Sequence, residues 1–420
     1  MRSALYVVSK KALAIRGGKP VRSKPLPVMH PGAGYVGAEE IDAVTAVLRS
    51  KSMYRFYGPK FLNVTGKFEA HLREYFGRKY ALALTSGTAA LHTALVGLGV
   101  DSGDEVIIPT YSWVACPDAV VAARGTPVLA NVDDSLTLDP RDVEEKITNR
   151  TKAIMAVHIR GTPCDLDGLS KVARRYGVAL LEDVAQAAGA TYHGKKLGTI
   201  GKVASYSFQL NKMISAGEGG AILTDDKMIY ERSLMFHDVG TPYRAWEEKD
   251  LKFNFEAFPG VNYRINEISA AILDEQLKKI DWIIKDIKKN KAKIKKGISD
   301  ISEIKFRRLN DPEGEAGISL VFFVKKPEQA IKFKKALRAE NIWSPSGAYP
   351  GVVYDPKVQD GHVFMHWGHI FKGIDRVQRR YKQTLDLLSR AVHLDISPLL
   401  SGADVNDIIV AVHKVADAVL

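Results

Sequence analysis

Apolar residues in this chain recur in two rhythms. Between residues 80 and 225, short unbroken apolar runs alternate with stretches in which apolar positions fall three or four apart. Val106-Ile107-Ile108 stops at Pro109. Ala153 to Ile159 reads AIMAVHI. Val178 to Leu181 reads VALL and stops at Glu182-Asp183, and Ala221-Ile222-Leu223 stops at Thr224-Asp225. Runs without a polar alternate predict parallel strands covered on both faces. Between them, Ala89 to Leu98 and Leu166 to Tyr176 predict helices. Repeated strand–helix units predict an α/β fold, with a mainly parallel central sheet flanked by helices. In such sheets ligands bind at the carboxyl ends of the strands.

Beyond residue 225 the rhythm changes. Ile265, Ile268, Ile272, Leu277 and Ile280 share one face of a predicted helix from Ile265 to Lys285. Ile318 to Val324 (ISLVFFV) predicts a strand, and Pro327 to Glu340 and Asp404 to Ala418 predict helices. The expected organisation is an N-terminal segment over 1–30, a large domain over 31–285 and a smaller C-terminal α/β domain over 286–420.

Composition narrows the function classes. The chain has 420 residues, 46% of them hydrophobic and 26% charged, which is a globular composition with room for two domains. A net charge of +12 raises the question of a nucleic-acid partner. Much of that charge sits in Lys278 to Lys296, where Leu277, Ile280, Ile284 and Ile287 recur at helical spacing. The lysines of that run are expected on a solvated helix face, so no nucleic-acid partner is expected. Cys116 and Cys164 have no CxxC or histidine neighbours, so neither a disulfide framework nor a metal site is expected. The apolar run Ala4 to Val8 is too short for a signal or a membrane span. The expectation is a soluble cytoplasmic protein with no membrane partner.

Three segments near strand ends carry chemistry. Ser86-Gly87-Thr88-Ala89 opens a helix directly after the run Tyr80 to Leu84. Free amides at a helix start, with the Thr88 hydroxyl, make a phosphate cradle. Taken alone, the same residues read as an ordinary N-cap. Leu181-Glu182-Asp183-Val184-Ala185-Gln186 puts Asp183 at the end of a buried strand. A carboxylate there needs a cation or strong donors. It either caps the next helix or faces a protonated pyridine nitrogen, the pairing that keeps pyridoxal phosphate (PLP) an electron sink. Gln186, three residues on, faces the same cavity in the second case. The third segment, SYSFQLNKMISAGEGG (205–220), sets Lys212 between a strand-like run and a glycine-rich stretch. A lone lysine is usually a solvated surface side chain. A Schiff-base lysine instead sits in a tight cavity that lowers its pKa. Ser207 would add a hydroxyl to the cradle. Trp113 follows Pro109 and either stacks on a flat ring or fills the core. His158 reads as a satisfied core histidine.

These motifs resemble one family across Leu13 to Leu420, the DegT/DnrJ/StrS-type sugar aminotransferases of PLP fold type I. The matching stretches include LAIRGGKPVR (13–22), RFYGP (55–59), SGTAALHTAL (86–95), EDVAQAAGATYHGKKLGTIG (182–201), SFQLNKMISAGEGGAILT (207–224) and NYRINEISAAIL (262–273). The resemblance implies that Lys212 binds PLP covalently and shuttles the proton. It implies that Asp183 pairs with the ring nitrogen and Gln186 with the ring hydroxyl. Gly87, Thr88, the Ala89 amide and Ser207 would hold the phosphate, and Trp113 would lie over the ring. Asn262 would reach the phosphate of a neighbouring subunit, which implies a homodimer with shared active sites. The implied reaction moves an amino group from glutamate or glutamine to a keto sugar or keto cyclitol. Lys212 stands where a sister group of sugar dehydratases carries histidine. The alternative within the family is a cyclising enzyme in the manner of the aminohydroxybenzoate synthases. Arg55, Arg160 and Arg264 are the arginines considered for the donor carboxylate.

Overall fold

The computed structural model describes residues 12–240, 251, 253–344 and 381–420. The apolar run at Ala4 to Val8 lies outside them. Among the described residues the strands are β1 (Tyr80–Leu84), β2 (Glu105–Pro109), β3 (Thr126–Ala130), β4 (Thr151–Val157), β5 (Ala179–Asp183), β6 (Thr191–Tyr192), β7 (Lys195–Lys196), β8 (Val203–Ser207), β9 (Gly220–Thr224), β10 (Lys305–Phe306), β11 (Ser319–Phe323) and β12 (Ala391–Asp395). The helices are α1 (Ala38–Ser50), α2 (Val64–Phe76), α3 (Gly87–Gly97), α4 (Ala115–Ala122), α5 (Pro140–Glu145), α6 (Leu166–Tyr176), α7 (Lys227–His237), α8 (Glu267–Leu277), α9 (Ile280–Gly297), α10 (Pro327–Ala339), α11 (Lys382–Arg390) and α12 (Gly402–Val419).

Seven strands form the central sheet in the order β1-β9-β8-β5-β4-β2-β3. The alternation of side chains along each strand explains the unbroken apolar runs. Ala81, Ala83, Ile107, Ile154, Ala156, Leu180, Ala204 and Leu223 point into one core. Leu82, Leu84, Val106, Ile108, Met155, Leu181, Val203 and Ile222 point into another on the opposite face. Both faces are covered, so apolar residues fill both positions of the pleat along these runs. The fold expected from the sequence is therefore present, with one difference. β9 runs antiparallel to both β1 and β8, whereas the other neighbouring pairs are parallel. An apolar run buried on both faces has the same pattern in either direction, so only the pairing sets it.

Local chemistry explains the helix limits. Asp165 accepts the Gly168 amide at 2.9 Å and starts α6, and Gly177 at φ 68° ends it. α6 buries Leu166, Leu169, Val172 and Ala173, leaving Arg175 outside. The expected single helix from Ile265 to Lys285 is two helices, broken at Lys278-Lys279. There the Lys279 ammonium donates to the Tyr35 carbonyl at 3.0 Å and to Glu40 at 2.9 Å. That pin turns the chain between two packing directions: α8 lies on α1 and α2, while α9 lies against α12 and β11. Residue 285 falls inside α9. The lysine run also has an exception, because Lys291 is buried and paired with Glu315 rather than solvated. Beyond α9, β10, β11 and β12 form a separate antiparallel sheet.

Candidate active site

The carboxyl ends of β4, β5 and β8 and the start of α3 surround a cavity of about 370 Å³. Gly87, Thr88, Trp113, Asp183, Gln186, Ser207 and Lys212 all line it. Seven of the residues singled out from sequence thus meet around one cavity, although they span 126 positions from 87 to 212. Ala89 and Asn262 do not line it. The Ala89 amide donates to Ser86 Oγ at 3.0 Å, the ordinary N-cap bond. Asn262 is exposed, with its side-chain oxygen accepting the Arg264 amide at 3.3 Å.

The approach of α3 to β8 depends on Gly87. A Cβ there would sit 2.5 Å from the Ser207 Cβ and 2.8 Å from its hydroxyl. The Ser207 hydroxyl therefore reaches the first turn of α3, whose leading amides have no partner within the helix. Ser86 caps the helix, as the N-cap reading has it, and Gly87, Thr88 and Ser207 line the cavity.

Lys212 sits in the loop from Phe208 to Gly219, which folds back on itself. The Phe208 amide donates to the Gly219 carbonyl at 2.8 Å, and the Leu210 amide to the Gly217 carbonyl at 3.1 Å. Gly217 needs its glycine, at φ +83°. The segment before α1 closes over this loop, with the Gly32 amide donating to the Lys212 carbonyl at 3.0 Å. Burial lowers the Lys212 pKa, and Asp183 partly offsets that. Asp183 is 5% exposed, and burial raises its pKa. Among the described residues its side chain accepts only the Ala185 amide at 3.0 Å and the Cys116 thiol at 3.4 Å. Neither donor is a cation. A buried carboxylate on a cavity wall without a cation in hydrogen-bond reach suits a protonated ring nitrogen placed in that cavity. The residues present therefore fit PLP.

Glu182, the strand neighbour of Asp183, points the other way. It is fully buried and accepts the amides of Gly198 and Ile200 at 2.8 Å each and of Gly201 at 2.6 Å. His158 Nδ1 accepts the Cys164 amide at 3.0 Å, so Nε2 carries the proton and donates to Glu182 at 3.3 Å. His158 is thus a satisfied core histidine, as its position suggested. Trp113 is 45% exposed at the cavity, which removes the core alternative for it.

Of the three arginines considered, Arg160 alone lines the cavity. Arg55 is buried against Glu69 at 2.8 Å and the Ala83 carbonyl at 3.2 Å. Arg264 pairs with Asp238. Sequence reasoning passed over Cys116, Gln209 and Asn211 on the cavity wall. Asn211 was legible as the neighbour of Lys212, and Cys116 only as one helical turn beyond Trp113. No group of three or more metal-ligating side chains occurs among the described residues.

A mainly parallel α/β sheet with a buried lysine and a buried carboxylate on one cavity at its strand ends defines a PLP-dependent transferase of fold type I. The chain belongs to the DegT/DnrJ/EryC1/StrS aminotransferase family, whose pattern matches residues 35–413. It is 34% identical to the L-glutamine:2-deoxy-scyllo-inosose aminotransferase of Streptomyces kanamyceticus, over 82% of this chain and 83% of that one. It is 37% identical to the GDP-perosamine synthase of Escherichia coli O157:H7, over 58% of this chain and 65% of that relative, just under two thirds of its length. Its fold superposes on the crystal structure of 3-amino-5-hydroxybenzoic acid synthase with a TM-score of 0.80 at 27% identity, covering 94% of this chain and 99% of that one. Among the described residues no helix is long and apolar enough to cross a membrane.

Proposed function

We propose that this chain transfers an amino group from glutamine or glutamate to a keto sugar or keto cyclitol, with Lys212 as the cofactor-binding and proton-shuttling residue. The observation that carries the reading is the meeting of Lys212 and Asp183 on one cavity wall, with burial acting on both. The named aminotransferase relatives support the substrate class. When bound, PLP supplies the electron sink for the pair left behind as the donor's α-proton departs. Lys212 Nζ, made easier to deprotonate by burial, takes that proton and returns it on the cofactor side. The Asp183 carboxylate holds the ring nitrogen in its protonated form. Ser207, Thr88 and the first amides of α3 hold the phosphate, and Trp113 covers the ring. Gln186, whose Oε1 is taken by the Arg160 amide at 2.8 Å, would offer its NH2 to the ring hydroxyl. Donor and acceptor use one cavity in turn, so the kinetics are ping-pong. Asn262 belongs to the site of a second copy of the chain in a homodimer, which its exposed position permits.

The structural likeness to 3-amino-5-hydroxybenzoic acid synthase carries a second reading, a PLP-dependent cyclisation in the same cavity. A visible spectrum separates the two. Transamination predicts a cofactor band that bleaches on adding glutamine or glutamate, and cyclisation predicts a band that ignores both. Lys212→Ala is expected to lose the covalent cofactor band and all turnover while keeping its far-UV circular dichroism. Sustained turnover in that variant refutes the assignment.

A further inference from the structure

One permanently charged side chain stands on the cavity wall beside Lys212. Arg160 follows β4 and is 4% exposed. Its backbone lies in the left-handed region at φ 56°, next to Gly161 at φ 75°. A non-glycine residue held there costs on the order of 1–3 kcal/mol and persists only where its surroundings impose it. Two contacts do so. The Arg160 amide donates to Gln186 Oε1 at 2.8 Å, and Nη1 pairs with Asp395 Oδ1 at 2.6 Å, at the end of β12. The guanidinium is thus aimed by the second sheet onto the first.

Behind it, the described residues add further positive charge. Arg307 follows β10, and its amide donates to Val321 of β11, the register partner of His393 on β12. Arg307 Nη1 and Nη2 are buried with no hydrogen-bond partner among the described residues, as are both ring nitrogens of His393. The nearby carboxylate Glu315 is bonded to Lys291. Among the described residues, Asp395 pairs with Arg160 and Glu315 with Lys291, while the Arg307 guanidinium adds a third positive charge. A guanidinium does not relieve such a surplus by losing its proton. His393 stays neutral: burial, then Arg160, Arg307 and Lys334, push its pKa well down.

We infer that Arg160 grips the α-carboxylate of the amino donor, with Arg307 behind it adding to the positive potential of the same wall. The inference rests on the aminotransferase reading above. The donor's carboxylate carbon is two bonds from the nitrogen that reacts, so its grip must lie on the cavity wall itself. A phosphate on a nucleotide-linked acceptor lies many bonds from the reacting carbonyl and is held farther out. Neither Arg55 nor Arg264 lines the cavity, and their guanidinium groups meet Glu69 and Asp238 instead.

The test uses the PLP-loaded protein and the variant R160Q/D395N, which removes both charges of the buried pair and leaves neither stranded. Binding of 2-methylglutamate, which keeps the carboxylate and has no α-proton to lose, is read by calorimetry. Bleaching of the band by L-glutamine and L-glutamate is read in single turnovers. The expected result is a donor affinity weakened about ten- to a hundredfold, since a hydrogen bond to a charged group is lost. The cofactor band stays unchanged. 4-Aminobutyrate, which lacks the α-carboxylate, is expected to respond equally in the two proteins. Donor affinity equal to wild type overturns the inference. So does a loss confined to the acceptor half-reaction, which gives Arg160 to an acceptor anion. If the pair variant does not hold the cofactor, Arg160→Lys carries the test, because it keeps the charge and loses the two-pronged geometry. It is expected to weaken the donor about tenfold, and no change overturns the inference. A wild-type band that ignores both donors overturns the aminotransferase reading itself. A responsive wild type with an equally responsive variant overturns the Arg160 assignment alone.

Discussion

Glu182 and Asp183 are adjacent carboxylates with opposite environments, because neighbouring residues on a strand point to opposite faces. Asp183 meets the cavity and, among the described residues, has no cation in hydrogen-bond reach. Glu182 meets three amides and the His158 ring. Burial pushes the Glu182 carboxyl up, but the His158 bond and the amides outweigh it and hold the group below the usual carboxylate range. The folded pKa is then lower than the unfolded value of about 4.3. Its contribution to stability is fully present above that value and is lost as pH falls through the folded one. The melting temperature is expected to fall as pH drops below about 4.3. Glu182→Gln is expected to lower the melting temperature at neutral pH, by a stability loss on the order of 1–3 kcal/mol, because it turns an amide NH2 toward backbone donors. Its own acid sensitivity should be shallower. Identical melting at pH 7 in both proteins would mean that Glu182 does not hold the 198–201 loop. The sequence exposed Asp183 as a chemical group, but the work of Glu182 depends on residues up to 24 positions away.

At the scale of elements, the site is made by the seating of α3 on β8. Gly87→Ala poses two effects against each other. Alanine improves helix propensity by up to about 1 kcal/mol. The new methyl would stand 2.5 Å from the Ser207 Cβ, and overpacking of this kind costs about 1–3 kcal/mol. Overpacking is expected to win. The variant should melt below wild type, and a PLP titration should show weaker cofactor binding, because α3 and Ser207 are pushed apart. Equal cofactor affinity would separate the α3 start from the phosphate. Element by element, the pattern of apolar positions located α6 to the residue and β5, β11 and α10 closely. It missed the break at Lys278-Lys279, since Ile265 to Ile280 keeps a helical rhythm across it. The break comes from Lys279 meeting Glu40, whose position in space no local pattern contains.

For the whole molecule, the proposed shared site makes a prediction about mixtures. Lys212→Ala subunits keep Asn262, and Asn262→Ala subunits keep Lys212. Co-refolded together, the two variants are expected to regain turnover above the sum of their separate values, because each hybrid dimer holds one complete site. No regain, with dimers present by sedimentation, would remove Asn262 from the neighbouring site. Within one chain, one tie between the two sheets is the Arg160–Asp395 pair across 235 positions, which joins the end of β12 to an arginine on the cavity wall.

By itself the sequence determined the class of fold, the strand ends at which chemistry gathers, and the motif set from Ser86 to Gly220. These are properties of pattern and local chemistry: the period of apolar positions, caps, and a lysine before a glycine-rich turn. Only the tertiary structure decided the direction of β9, the burial of Lys291, and that Arg160, rather than Arg55 or Arg264, lines the cavity. The physical reason is the same in each case. A buried charge is defined by the partners and the dielectric around it, and a strand's direction by the neighbour whose amides it meets, and both come from residues distant along the chain.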